Sequence, residues 1–110
     1  MVHSHAERLG KYVYPREFAA HRTYVDEYDG IVSGHTHIQR EVGVDDRVIL
    51  NPGSVGQPRD GDPRAAYAVL DTETGETDLR RVEYDIEYVA DEIAASGLPK
   101  GTAERLFEGK

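Results

Sequence analysis

Between Asn51 and Pro63 the chain carries three prolines and three glycines in thirteen residues, NPGSVGQPRDGDP. Fixed φ angles and missing amide donors at that density rule out a helix or a central strand, so the segment is a long loop with set turns. It separates two stretches of a 110-residue chain that is long enough for one modest core, so residues 1–110 are expected to form a single domain. Structureless loops of this length in compact domains are usually functional, which directs attention to what flanks it.

On the N-terminal side, Val2 to His5 reads as a short strand. Pro15 suits a first helical position, and Phe18, His21, Val25 and Tyr28 recur at helical spacing up to Asp29-Gly30. Ile31 to Ser33 reads as a buried strand that delivers Gly34 to its end. Val42 and Val44, then Val48 and Leu50, alternate around Asp45-Asp46 as a hairpin. Beyond the loop, Ala66–Leu70 and Leu79–Tyr84 flank Thr74-Gly75-Glu76 as a second hairpin. Asp85 can cap a helix whose stripe is Ile86, Val89, Ala90, Ile93 and Ala94, closing at Gly97-Leu98-Pro99, and a last short helix spans Thr102 to Phe107. The order is strand, helix, mostly antiparallel strands and helices: α/β, or α+β in isolation.

Charge narrows the function. The chain has 21 acidic and 13 basic side chains, a net charge of −8, which repels nucleic acid. The last forty residues hold eleven of the acidic groups and five of the basic ones. Arginine outnumbers lysine ten to three, a bias that together with the acidity suggests a salt-adapted, halophilic protein. No apolar run approaches the roughly 18 residues of a membrane span and no signal segment is evident, so a cytoplasmic protein without a membrane partner is expected. With no cysteine in the sequence, a metal must be held by histidine and oxygen.

Four of the five histidines form two HxH pairs, His3/His5 and His35/His37. In an extended backbone residues i and i+2 share a side, so each pair can converge on one point, although an isolated HxH is commonly just solvated. His21, alone on an apolar helix face, reads as a core or boundary histidine. The second pair is the stronger signal: Gly34-His35-Thr36-His37 follows a strand, and strand ends are where open sheets place ligands. Gly34 would let the backbone pass a metal without a Cβ in the way. Both rings are expected at one strand end, partly open to a concavity, with His3 nearby. Tyr12 and Tyr14 would cover the pocket edge or the core. Within the loop, Asn51 and Ser54 read as hydrogen-bonding residues behind the site. Gly53-Ser54-Val55-Gly56 is no nucleophile elbow, since Pro52 precedes it, and it lacks the lysine of a phosphate-binding loop.

Gly-His-Thr-His followed after a hairpin by NPGSVGQPRDGDPRAAYAVLD, with HSHAERLGKYVYP upstream, resembles the C-terminal half of the calcineurin-like metallophosphoesterases, particularly their small prokaryotic phosphodiesterase subgroup, over residues 2–71. The resemblance implies the C-terminal half of an αββα sandwich of mostly antiparallel strands with flanking helices. The metal-ligand segment is then 1–64, and the second hairpin with the acidic C-terminal helices is 65–110. It implies a phosphodiesterase or phosphatase that hydrolyses small phosphate esters with two divalent ions, manganese, nickel, iron or zinc. His3 and His35 would ligate one and His37 the other, with His5 and Arg59 near the substrate. Ser4 stands where the family usually has glycine. The family's Asp-x-His, Gly-Asp and Asn-His or Asn-Glu motifs lie upstream of the segment that starts at His3, so the chain alone is expected to hold an incomplete site, to be inactive, and to self-associate or pair with an N-terminal half. A noncatalytic metal-binding or interaction fragment using the paired histidines is the alternative.

Overall fold

The computed structural model describes residues 1–25 and 28–110, and the side chains of residues 21, 22, 24 and 25 also lie outside the described set. A 3₁₀ helix (Pro15–Val25) is followed by strands β1 (Gly30–Val32), β2 (Arg40–Val44) and β3 (Arg47–Asn51). Strands β4 (Ala65–Leu70) and β5 (Thr77–Val82) come next, then helices α1 (Ile86–Ala95) and α2 (Lys100–Glu108). One sheet has the order β1-β3-β2, with β1 parallel and β2 antiparallel to β3; β4 and β5 form a separate antiparallel hairpin.

The hairpins follow from alternation. Val42 pairs with Ile49, and Val44 with Arg47, so the two valines share a face with Ile49 and pack with Val13 and Phe18. The β2–β3 turn has no glycine; Asp45 and Asp46 take φ of 49° and 61° instead, the two left-handed residues of a type I′ turn, which short polar side chains tolerate. At the N-terminus of α1 the Asp85 carboxylate accepts the Tyr88 amide at 2.9 Å, and α2 ends on left-handed Gly109. Both helices match their expected positions.

Two expectations near the N-terminus do not hold. The expected strand from Val2 to His5 reduces to one parallel bridge between Val2 and Ser33. Side chains compete with the ladder there: the amides of Glu7 and Arg8 donate to His5 Nδ1 at 3.0 and 3.2 Å, and that of Gly10 to Ser4 Oγ at 3.1 Å, curling residues 4–11 into a turn. The helix from Pro15 is 3₁₀ and not α. Glu17 reaches back to the Tyr14 amide at 3.0 Å, and Phe18 is buried as expected. Tyr28 lies beyond the helix and is 65% exposed, so it does not extend the apolar face. The side chains of His21 and Val25, expected on that face, are outside the described residues.

The two sheets are tied edge to edge by polar groups. The Gln39 side-chain amide donates to Tyr67 O at 2.9 Å and Arg80 O at 3.1 Å. Arg81 donates to Gln39 Oε1 at 2.9 Å and pairs with Asp60, and Thr77 donates to Glu41. The molecule is therefore a slab, 47 × 28 × 19 Å. Its radius of gyration is 15.6 Å, where a compact domain of this length has about 13 Å. Among the described residues no helix is long and apolar enough to cross a membrane.

Candidate metal centre

Strand β1 ends at Val32, and the next residues meet the start of the chain running alongside. The Val2 amide donates to Val32 O at 2.8 Å and the Gly34 amide to His3 O at 3.0 Å. That registration brings His3 Nε2 to 3.1 Å from His35 Nδ1, with the ring centroids 4.9 Å apart and the planes at 63°. Convergence of His3 and His35 is as expected, but its origin is not. His35 and His37 have φ of 70° and 60°, so the motif is a left-handed turn and not an extended strand whose residues alternate sides. His35 meets His3, while His37 turns to another partner. Both rings are partly open to solvent and His3 is exposed.

Backbone carbonyls set the nitrogen chemistry. His35 Nε2 lies 3.2 Å from Gly10 O, and His37 Nδ1 lies 2.9 Å from Gln57 O. A carbonyl can only accept, so each of these nitrogens carries the proton, and in the neutral ring the lone pairs are on His35 Nδ1 and His37 Nε2. Fixing a ring by a carbonyl bond on its far nitrogen is how metal-ligating imidazoles are usually held. His35 Nδ1 then faces His3 Nε2. Two ligand nitrogens on one tetrahedral ion with bonds of 2.0–2.1 Å stand about 3.3 Å apart, so the 3.1 Å pair fits two positions of one coordination shell. Among the described residues, no group of three or more His, Asp or Glu gathers closely enough to hold a metal ion.

The loop after β3 supports this turn from behind. Asn51, with no exposed surface, donates to Gly34 O at 3.1 Å and Thr36 Oγ1 at 2.9 Å, and accepts the Gly53 amide at 2.9 Å. Ser54 Oγ accepts the Gln57 amide at 2.9 Å. Gln57 is the hub: besides holding His37, its side chain accepts from Arg59 Nη2 at 3.3 Å and donates to Lys110 O at 3.2 Å. The Arg59 amide donates to His37 O at 3.0 Å, and the residue is exposed. Arg64 is instead paired with Asp62 at 2.7 Å.

Three features of the sequence reading gain detail. His5 is buried, and its Nδ1 accepts from the amides of residues 7 and 8, which gives it a loop-shaping position. A Cβ on Gly34 would make only an ordinary 3.5 Å contact with His3 O, so no neighbouring protein atom requires glycine there. Tyr12 covers the site edge and not the core: its ring stacks on His35 with centroids 3.9 Å apart and planes at 23°. The carbonyls of Gly10 and Gln57 were invisible in the sequence, since a backbone acceptor leaves no residue-type signal.

Arg81 and Asp60 anchor the loop's far end. Burial works to raise the Asp60 pKa, but hydrogen bonds from Arg81 and the Gln39 amide outweigh it and hold the carboxyl below the usual value. Hydrogen bonds from the Arg64 side chain and amide take Asp62 down to about 2.

Residues 1–75 match the calcineurin-like phosphoesterase superfamily domain. The chain is 34% identical, over all of its length and 52% of the relative's, to an uncharacterized protein of Methanocaldococcus jannaschii. Among solved structures, a metallophosphoesterase from Sphaerobacter thermophilus superposes with a TM-score of 0.82 at 30% identity, covering 99% of this chain and 54% of that one. A hypothetical protein of Pyrococcus horikoshii, at 23% identity, shares the fold with a TM-score of 0.87 over 99% of this chain and 45% of its own. The chain thus spans about half the length of the relatives it matches. With a mixed α/β fold shared with a metallophosphoesterase and a family match over 75 of its 110 residues, this chain belongs to the calcineurin-like phosphoesterase superfamily.

Proposed function

We propose that this chain contributes the histidine half of a two-metal phosphoesterase site and needs carboxylates from an N-terminal half of the domain to hydrolyse phosphate esters. The observation that carries the reading is the His3 Nε2 to His35 Nδ1 approach of 3.1 Å, with His35 locked by Gly10 in the tautomer that points a lone pair at His3. His3 and His35 hold one divalent ion, manganese, nickel, iron or zinc, and His37 Nε2 serves a second. When bound, such a pair of ions supplies Lewis acidity toward phosphoryl oxygens and acidifies water near neutral pH. The chain's own residues do the rest: Gly10 and Gln57 orient the rings, and the exposed Arg59, bonded to His37 O through its amide, supplies positive charge for an anionic substrate. Imidazoles are neutral ligands, so charge balance for two dications requires carboxylates.

An apolar concavity of about 380 Å³ beside His3, lined by Met1, Val2, Val32 and Pro52, supports a partner surface next to the site. The N-terminal half would cover it; without that half the same surface favours self-association.

The test is reconstitution. The 110-residue chain alone should not hydrolyse bis-p-nitrophenyl phosphate with manganese or nickel present. Adding an N-terminal half that carries Asp-x-His and Gly-Asp motifs should produce metal-stimulated hydrolysis that His37→Asn abolishes. Hydrolysis by the chain alone that survives His37→Asn overturns the reading. Stoichiometric metal uptake with no hydrolysis after reconstitution favours the noncatalytic alternative.

A further inference from the structure

His37, the proposed ligand of a second ion, sits in a short ladder between two segments of the chain. Its carbonyl accepts the Arg59 amide at 3.0 Å, its Nδ1 lies 2.9 Å from Gln57 O, and the Gln39 amide donates to Asp60 Oδ2 at 3.1 Å. Residues 37–39 and 57–60 therefore run side by side, and their register decides whether Gln57 O meets the ring. Arg81, from the second hairpin, reaches both segments. It pairs with the buried Ala66 in the β4–β5 register, so the two side chains share a face of the hairpin. From there Arg81 Nε donates to Gln39 Oε1 at 2.9 Å, Nη2 pairs with Asp60, and Nη1 donates to Asp62 O at 3.4 Å and Arg64 O at 3.3 Å.

We propose that Arg81 is a positioning residue for His37: by joining Gln39 to Asp60 it fixes the register of the two segments, which keeps His37 Nδ1 on Gln57 O and leaves Nε2 free for an ion. The inference rests on the phosphoesterase reading and adds to it a remote residue that sets one ligand. The Arg81 and Asp60 side chains are only 14% and 15% exposed. Withdrawing a charged pair from water costs about as much as its attraction returns, so stability alone gives little reason for charges at this place. What a guanidinium supplies is direction, because five N–H donors in a rigid plane fix several acceptors at once, which the single ammonium of lysine does not. The loop has other ties, from the Gly61 amide to Gly109 O at 3.0 Å and from Gln57 Nε2 to Lys110 O at 3.2 Å. Those anchor it to the end of α2, whereas Arg81 anchors it to the segment that carries His37.

The test reads ring tautomers in the full chain by long-range proton–nitrogen correlation NMR at about pH 8, where unperturbed imidazoles are neutral. His35 is the internal control, since its tie, Gly10 O, belongs to the curled turn of residues 4–11. In the wild type His37 should be protonated on Nδ1 and His35 on Nε2. Arg81→Met keeps a long stem and drops the fork; it should move His37 toward the mixed tautomers of a solvated imidazole while His35 stays as it is. Arg81→Lys keeps the charge without the plane, should move His37 in the same direction, and serves if the methionine variant fails to fold. In the reconstituted domain Arg81→Met should weaken manganese binding by about tenfold, the low end of what loss of a ligand's supporting partner costs. An unchanged His37 tautomer in a folded variant, equal changes at His35 and His37, or unchanged manganese affinity overturns the positioning role. An unchanged tautomer alongside hydrolysis by the reconstituted wild type defeats the positioning role alone. A shifted tautomer with no hydrolysis by the reconstituted wild type defeats the phosphoesterase reading instead.

Discussion

Asn51 donates to Thr36 Oγ1 at 2.9 Å from a fully buried position, and with its second bond to Gly34 O it grips the residues on both sides of His35. The proline- and glycine-rich loop therefore begins with the residue that shapes the histidine turn. Replacing Asn51 with alanine leaves the Gly53 amide without its acceptor and removes one of two donors to Gly34 O, which keeps the Thr36 amide at 2.9 Å, at a cost of about 1–3 kcal/mol for the group left unsatisfied. Asn51→Asp restores the acceptor for Gly53 but cannot donate to Gly34 O. Urea midpoints should fall in the order wild type, Asn51→Asp, Asn51→Ala. Unchanged midpoints for both variants would mean that the loop does not hold the turn.

The C-terminal helix presses on the same loop. Gly109, at φ 64°, comes so close that an added Cβ would lie 2.7 Å from Asp62 N and 2.8 Å from Gly61 C. Gly109→Ala should destabilise the chain by at least the roughly 1–2 kcal/mol of a left-handed L-residue, and further by displacing the loop. Gly101→Ala, in the same helix with nothing within 4 Å of its added Cβ, is the control and should be neutral or mildly stabilising. Equal denaturation midpoints for the two variants would contradict the close approach.

Acid should loosen the loop before it unfolds the helices. Asp60 and Asp62 both titrate below their ordinary value of 3.8 in the folded chain, Asp62 at about 2. A carboxylate with a depressed folded pKa gives stability that is complete above its unfolded pKa and lost as pH falls through the folded one. The loss should therefore run from about pH 4 to about pH 2. The Asp60–Arg81 side chains, 15% and 14% exposed, are better shielded from solvent than Asp62 and Arg64. Asp60→Asn should accordingly flatten the dependence of the thermal midpoint on pH across that window. A wild-type slope in the variant would assign the acid lability elsewhere.

Screening should act in the opposite sense. With eleven acidic against five basic groups in residues 71–110, self-repulsion is concentrated around the second hairpin and the helices. Raising ionic strength from about 0.05 M to about 1 M shortens the Debye length to roughly 3 Å and relieves it. The thermal midpoint should rise by about 4–8 °C for each kcal/mol of repulsion removed. A midpoint indifferent to salt leaves the arginine bias without a stability role.

Much of the fold was legible because local rules agreed with the packing. Val42, Val44, Val48 and Leu50 alternate as a hairpin must, Asp85 announces a helix, and three prolines mark the loop. The site was half legible. His3, His35 and His37 are visible as a pattern, and Asn51 and Ser54 as turn residues. What the pattern misassigned was backbone geometry: HxH suggests alternation in a strand, whereas His35 and His37 both occupy left-handed conformations, which are uncommon for any non-glycine residue even though histidine is enriched there. The strand read at Val2–His5 fails because Ser4 and His5 spend their side chains on nearby amides, a competition that periodicity cannot register. Tyr12 on His35 and Gln57 O on His37 join residues 23 and 20 positions apart, and such contacts have no local signature.

The left-handed backbone at positions 35 and 37 decides which variants report on chemistry. Alanine there removes the imidazole and also leaves a methyl-bearing residue in a conformation that costs roughly 1–2 kcal/mol, so a loss of activity mixes a missing nitrogen with a relaxed turn. Valine or isoleucine, stiff at the first side-chain torsion, would confound the result further. Asparagine is at home in this region of backbone space and lacks the ring, which makes His35→Asn and His37→Asn the informative probes. Libraries that restrict these two codons to Asn, Asp, Gly and His will sample function at constant backbone, whereas an unrestricted scan will return mostly folding defects.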